Sequence, residues 1–208
     1  MSEYLFFIPI ALALVIGVIS PGPSFIFVAQ VAMSQSRSQA IATSLGLGTG
    51  AMIFALVASL GLFFVLETVP WVYLSLKVMG GLYLFYLAYR IWNSAKQTLD
   101  KSAVEIPDAN ISLVKSYMLG LFTQLSNPKT AIVIGGIFMA FMPANVPAVS
   151  YILLAVMAFV IDAGWYSIVS IMLSTPKAQK VYLRFKKSIT RVASGLMAVL
   201  GAKLIFNQ

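Results

Sequence analysis

The sequence predicts an all-α integral membrane protein with six transmembrane helices, arranged as two inverted three-helix repeats in which spans one and four are broken at mid-membrane. Composition is the first reason: 60% of the 208 residues are hydrophobic and 10% are charged, against roughly 25% charged residues in ordinary soluble domains. The second reason is a series of apolar stretches, each long enough for a spanning helix, which needs about 20 residues. The third is a pair of proline-containing breaks at matching places in the two halves.

The composition also argues against most catalytic chemistry. The chain has no Cys and no His, which removes thiol nucleophiles, imidazole bases and the most common metal ligands. Six acidic residues leave little material for a metal cage or a pair of catalytic carboxylates. We therefore expect neither an enzyme, nor a metal, nor a cofactor. The net charge of +8 comes without the aromatic-interleaved basic stripe of a nucleic-acid binder, so nucleic acid is not an expected partner.

The positions of the charged residues define the spans. Two uncharged stretches near the N-terminus each suffice for one tilted helix, and a third span follows Pro70. A long fourth stretch holds two charges, Lys129 and Asp162, and is divided in two by its proline-rich centre. In chain order the spans lie in residues 4–36, 38–66, 70–90, the two parts of 116–176 on either side of 143–147, and about 189–206.

The basic residues predict the orientation of the chain in the membrane. Eleven Lys and Arg residues lie in or beside the first, third and fifth loops, and none lies in the loops on the other side. Because such residues concentrate in cytoplasmic loops, both termini are predicted outside. The linker 93–115 would then lie in the cytoplasm between the repeats 1–92 and 116–208. Residues 175–188 mix basic and apolar side chains, which favours an interfacial helix against anionic lipid headgroups.

Two aligned pairs of segments indicate the internal repeat. Residues 77–92 of span three align without a gap on residues 191–206 of span six. Residues 19–28 of span one align in the same way on residues 125–134 of span four. An odd number of spans in each half turns the second half upside down, which is the inverted repeat of many secondary transporters.

The aligned spans one and four each contain a helix breaker near their centre. Residues 20–23 read Ser-Pro-Gly-Pro, and residues 126–129 read Ser-Asn-Pro-Lys. Proline interrupts a helix, whereas Ser or Asn followed by proline is a typical start of a new one. Two helix N-termini would then meet inside the membrane and favour an anion such as a carboxylate, although structural kinks are the alternative. The candidate substrate-binding residues are Ser20, Pro21, Gly22, Pro23, Ser126, Asn127, Pro128 and Lys129.

Lys129 and Asp162 lie near the centres of spans four and five. An ionised side chain at that depth costs about 2.5–3.5 kcal/mol to insert, so each should face a partner or a wet cavity. The simplest partner of each is the other one, and an ion pair that only locks two spans together is the structural alternative. We favour a functional role, with Asp162 in proton coupling. Trp165 is too deep for an interfacial aromatic belt and is a further candidate for the substrate site.

The two break motifs, the glycine-rich second span and the segment LKVMGGLYLFYLAYR at 76–90 resemble those of the LysE/RhtB family of amino-acid exporters. The resemblance covers nearly the whole chain. It implies export of amino acids or closely related zwitterions across the bacterial plasma (inner) membrane, driven by proton antiport. Many members of the family carry an acidic residue near the glycines of span two, where this chain has Ala51. That difference leaves the charge of the substrate and the stoichiometry open.

Taken together, these features predict a single substrate site at mid-membrane. The carboxylate of a zwitterion would lie on the paired helix N-termini near Lys129, and its ammonium toward backbone carbonyls and Asp162. The expected partners are an amino acid, protons and membrane lipids, with a homodimer left open. The rival functions are a channel or lipid scramblase on the same fold and, less favoured, a hydrolase that uses Ser126 and Lys129. Close helix packing, without chemistry, is expected at Gly46, Gly50, Gly80, Gly81, Gly135 and Gly136.

Overall fold

A computed structural model describes residues 4–20, 22–68, 70–94, 111–143 and 145–206. In these ranges the chain forms eight α-helices and no β-strand. The helices are α1 Phe7–Ile19, α2 Pro23–Ser34, α3 Arg37–Thr68, α4 Pro70–Ser94, α5 Leu113–Leu125, α6 Pro128–Phe141, α7 Val149–Leu173 and α8 Pro176–Phe206.

Several of these helices are suited to a bilayer by length and composition. Of the residues that the structure describes, Arg37–Gly61 in α3 and the whole of α7 each suffice to cross a membrane alone. A third candidate is the pair α1 and α2, which meet at a bend of 57°. The α6 helix is apolar but shorter. The described part of the chain is thus helical in the way expected of a membrane protein, and the count of six spans remains a prediction.

The two predicted helix breaks are present at the expected positions. The α1 helix ends at Ile19, and Ser20 and Gly22 have extended backbones before Pro23 opens α2. The α5 helix ends at Leu125, the residue that aligns with Ile19. After that break α6 begins at Pro128, so each new helix starts with a proline, whose missing N–H costs nothing there. Pro21 lies outside the described residues.

Glycines bring α3 into close contact with α5 and α7. A Cβ atom placed on Gly46 would overlap the backbone oxygen of Tyr117 in α5. A Cβ on Gly48 would lie 2.6 Å from that of Ala163 in α7, and one on Gly50 would lie 2.6 Å from the Cβ of Gln124. No side chain fits at these crossings without moving the neighbouring helix, which confirms close packing at Gly46 and Gly50.

The same type of contact joins α4 to α8. A Cβ on Gly81 would lie 2.5 Å from the Ile205 side chain, and one on Gly80 would lie 3.3 Å from Leu204. In α6, a Cβ on Gly136 would lie 3.3 Å from Leu84 of α4. Gly135 differs, because a Cβ placed there would meet no atom of another described helix within 4 Å. The expectation of close packing is therefore wrong for Gly135.

The last helix differs from the prediction of an interfacial helix followed by a separate span. Residues Pro176–Phe206 form one continuous helix of 31 residues, which is about 46 Å long at 1.5 Å per residue. The sequence between Pro176 and Gly195 contains neither Gly nor Pro, and Lys and Arg are good helix formers. A change from polar to apolar composition therefore does not end this helix.

A polar layer divides the apolar core into two clusters. Along α7, Leu154 and Ala158 belong to one cluster, Val169 and Leu173 belong to the other, and the buried Asp162 lies between them. Gly22 of the first break and Asn127 of the second break line one cavity together with Asp162. The two helix breaks therefore meet at the buried carboxylate.

Candidate functional site

A cavity of about 30 Å³ lies in this polar layer, between the two helix breaks. It brings together predicted residues from the first break, the second break and α7. The side chains of Lys129 and Asp162 are each 8% exposed, so both charges are almost completely removed from the surface. The polar residues and glycines in its wall are Gly17, Gly22, Asn127, Lys129, Thr130, Asp162 and Tyr166.

Lys129 contacts the end of α1 across the molecule. Its Nζ donates hydrogen bonds to the backbone oxygens of Ser20 at 2.5 Å and Gly17 at 3.4 Å. The last carbonyls of a helix have no partners within it, and the residue four positions after Gly17 is Pro21, which has no N–H. A cation is favourable at this negative end of the helix dipole. Lys129 therefore caps α1, an arrangement that is possible only because the helix is broken there.

Gly22 provides the space that the Lys129 side chain needs. A Cβ on Gly22 would lie 2.9 Å from Cδ and 3.1 Å from Nζ of Lys129. The backbone of Gly22 is extended, with φ −155° and ψ −170°, which any residue can adopt. Glycine is thus suited to this position by the close approach of Lys129 and not by its backbone conformation.

Four buried polar side chains form a chain of hydrogen bonds that ends at Asp162. Asn127 Nδ2 donates to Ser24 Oγ at 2.7 Å, and Ser24 Oγ donates to Gln124 Oε1 at 2.5 Å. Gln124 Nε2 then donates to Asp162 Oδ2 at 2.7 Å. The chain runs from the N-cap of α6 through the first turn of α2 and the last turn of α5 to the centre of α7. It therefore connects both helix breaks to the buried carboxylate.

The two amides in this chain have defined orientations. Asn127 Oδ1 accepts from the backbone N–H of Lys129 at 3.0 Å, and this orientation turns its Nδ2 toward Ser24. Gln124 is fully buried and uses its oxygen for Ser24 and its nitrogen for Asp162. Because buried polar groups are costly without partners, each member of the chain limits the orientation of the next.

The predicted direct ion pair between Lys129 and Asp162 is replaced by an indirect arrangement. Both side chains line the same cavity, but in the described part of the chain their hydrogen bonds go to other groups. Lys129 bonds to the carbonyls freed by the first break, whereas Asp162 accepts from Gln124. Each charge thus has its own partner, and the cavity separates them.

The remaining predicted residues lie at the edge of the site or away from it. Pro23 and Pro128 are exposed first residues of their helices. Ser126 is exposed at the end of α5, so the structure does not bring its hydroxyl to the buried Lys129 amine. Trp165 lines a different, apolar pocket, and its indole N–H is buried without a hydrogen-bond partner in the described residues.

Sequence reasoning did not assign a role to Ser24 or Gln124. A signal for Gln124 exists, because it is a polar residue in an apolar helix and precedes the Asn127 cap by three positions. Its hydrogen-bond partner Ser24 is 100 residues away in the sequence. The first break could be recognised locally, but the contact between Ser24 and the second break could not.

Comparison with known proteins identifies the family. The LysE type translocator family model matches residues 15–208. The chain belongs to this family. LysE type translocators are transporters, and this chain is therefore a transporter and not an enzyme.

Several relatives of this LysE type translocator match over nearly their whole length. The "Threonine efflux protein" of Escherichia coli K12 is 33% identical over 205 residues, which cover 97% of this chain and 98% of the relative. That of Salmonella typhi is 33% identical over 206 residues, with the same coverage of both chains. An "Uncharacterized membrane protein" of Haemophilus influenzae is 26% identical over 193 residues, which cover 92% of this chain and 91% of the relative. No solved structure matches the chain.

Proposed function

We propose that this LysE type translocator exports an amino acid, with threonine as the first candidate, in exchange for protons. The observation that carries the proposal is the cavity between the helix breaks, which contains a buried amine and a buried carboxylate. Ionisable groups inside a membrane typically mark a substrate or proton path. Two full-length relatives named threonine efflux proteins support the substrate.

Binding of a zwitterion would exchange the partners of Lys129. A substrate carboxylate offers the ammonium of Lys129 a charge-assisted hydrogen bond, which is stronger than one to a neutral carbonyl. The oxygens of Gly17 and Ser20, released by Lys129, would then accept from the substrate ammonium. At about 30 Å³, the cavity has room for about one water molecule. The walls must therefore separate to admit an amino acid, and the two breaks are the places where the backbone can bend.

Protonation of Asp162 would change the hydrogen bonds at both breaks through Gln124. The carboxylate now accepts from Gln124 Nε2, but a protonated carboxyl group also has an O–H to donate. Gln124 could accept that O–H by reversing its amide, which would present its nitrogen instead of its oxygen to Ser24. Ser24 belongs to the first turn of α2 and accepts from Asn127 at the start of α6. Proton binding and the geometry of the breaks are coupled in this way.

The proposal includes the six-span inverted repeat with both termini outside and a location in the inner membrane. The repeats 1–92 and 116–208 each contain two short helices followed by two long ones, and each break separates the two short helices. The equivalent helices α3 and α7 pack on each other, as do α4 and α8. Such pairing of equivalent elements across a central axis is expected of an inverted repeat.

Transport in proteoliposomes tests this function. Labelled threonine should accumulate in vesicles that are acidic inside, by about tenfold for a gradient of one pH unit at one proton per substrate, because one pH unit is equivalent to about 1.36 kcal/mol. Asp162→Asn should abolish this accumulation but retain exchange of labelled for unlabelled threonine. Asparagine cannot bind the transported proton, but it has nearly the shape of aspartate and can still accept a hydrogen bond from Gln124.

The matched control for this variant is Asp108→Asn, which removes an acidic residue of the linker. It should accumulate threonine like the wild type. Normal pH-driven accumulation by Asp162→Asn would contradict the assigned proton site. Equilibration without accumulation in the wild type would favour a channel.

A further inference from the structure

A second, larger pocket lies between the end of α7 and the beginning of α8. Its volume of about 380 Å³ is more than ten times the 30 Å³ of the cavity in the polar layer. The lining residues recur at intervals of three and four on both helices, so each helix contributes one stripe of its surface. These stripes are Trp165, Val169 and Met172 on α7 and Val181, Phe185 and Ser188 on α8.

The pocket has the depth and polarity of a site for a hydrocarbon chain. Its wall on α7 extends from Trp165 to Leu173, which is about 12 Å along the helix axis. Ile19 and Phe25 line it as well, and they lie on the two sides of the first helix break. An occupant of this pocket therefore touches both α1 and α2.

A line of basic residues follows the apolar stripe on α8. Arg184 and Lys187 are exposed, and at 100° per residue Arg184 is about 60° around the helix from the line of Val181. Lys187 lies about 120° from that line on the same side, directly before the pocket residue Ser188. In the sequence, basic residues with this spacing of three and four are Lys177, Lys180, Arg184, Lys187 and Arg191.

We propose that the pocket binds an anionic phospholipid, with one acyl chain between α7 and α8 and the phosphate beside Arg184 and Lys187. A neutral lipid would fill the apolar pocket but would not match the basic residues beside it, whereas basic pockets between membrane helices are typical of sites for anionic headgroups. By packing on Ile19 and Phe25, the acyl chain stabilises the bend between α1 and α2. The proposal depends on the location of the chain in a membrane and not on its transport activity.

Trp165 provides a direct probe of this site. The chain contains three tryptophans, so Trp71→Phe with Trp92→Phe leaves Trp165 as the only one. Phosphatidylglycerol with brominated acyl chains, titrated into the purified protein in neutral detergent, should quench its fluorescence. Brominated phosphatidylcholine should quench it only at much higher mole fractions.

Removal of the basic residues separates specific binding from general attraction to an anionic surface. In the background with Trp165 alone, Arg184→Gln with Lys187→Gln should raise the phosphatidylglycerol concentration for half-quenching by about 30-fold, the equivalent of ~1 kcal/mol for each basic residue. The matched control, Arg37→Gln with Lys115→Gln, removes two exposed basic residues elsewhere and should leave it unchanged. Equal quenching by the two lipids, no quenching by either, or an equal effect of the control pair would overturn the proposal.

Discussion

Replacement of Gln124 is the sharpest test of the hydrogen-bond chain. Gln124→Leu keeps the volume of the side chain and removes both of its hydrogen bonds, which leaves the Asp162 carboxylate without this donor and the Ser24 O–H without this acceptor. Loss of a hydrogen bond to a charged group costs about 1.5–3 kcal/mol, and loss of one to a neutral group costs about 1 kcal/mol. The variant should therefore lower the free energy of unfolding by about 2.5–4 kcal/mol.

A double-mutant cycle isolates the contribution of the charge. Asp162→Asn retains an oxygen that accepts from Gln124, so its own cost should be small. In the double variant no charge is left without a partner. The double variant still loses the neutral hydrogen bond between Gln124 and the asparagine, which is worth about 1 kcal/mol. The two changes together should therefore cost about 0.5–2 kcal/mol less than the sum of the single changes.

Thermal unfolding in detergent measures this coupling. For a soluble chain of this size 1 kcal/mol shifts the midpoint by about 2–4 °C, so the coupling should appear as about 1–8 °C. Gln39→Leu is the matched control, because Gln39 is a buried glutamine whose amide donates to a neutral group, the backbone oxygen of Ile111. It should be additive with Asp162→Asn. Additive effects for Gln124 and Asp162 would refute the hydrogen bond as the link between them.

Two further predictions concern the first break and the orientation of the chain. Gly22→Ala should raise the KM for export several-fold, because its Cβ would lie 2.9 Å from the Lys129 side chain, whereas Gly135→Ala, with open space around it, should leave export unchanged. Equal effects of the two alanines would remove the steric explanation. A cysteine at Gln208 should react with an impermeant maleimide in intact cells, and a cysteine at Thr98 should be protected. The reverse pattern would show that the orientation is wrong.

The helix breaks could be predicted because their causes are local. Proline has no N–H whatever its surroundings, and Asn before proline supplies a cap from the same few residues. Close packing at Gly46 and Gly50 could also be predicted, because small residues in a membrane helix favour close contact with a neighbouring helix. The same rule was wrong for Gly135, because packing depends on whether another helix lies opposite, and the sequence of one helix does not contain that information.

The last helix shows a second limit of local reasoning. The change from basic to apolar residues near Ser188 marks a change of environment, which favours an element boundary at that point. Hydrogen bonding along the backbone does not depend on that environment. The helix therefore continues from Pro176 to Phe206, with no breaker near the change in composition.

Composition and neighbouring residues are enough to establish that the protein is helical, that it lies in a membrane, where two helices break and which two charged residues are buried in the middle. The partners of those residues follow from tertiary structure: Lys129 caps α1, Asp162 accepts from Gln124, and Trp165 faces a separate pocket. The hydrogen bonds among these contacts join residues from 38 to 112 positions apart. They depend on the rotation and crossing of whole helices, which are set by the packing of the complete chain.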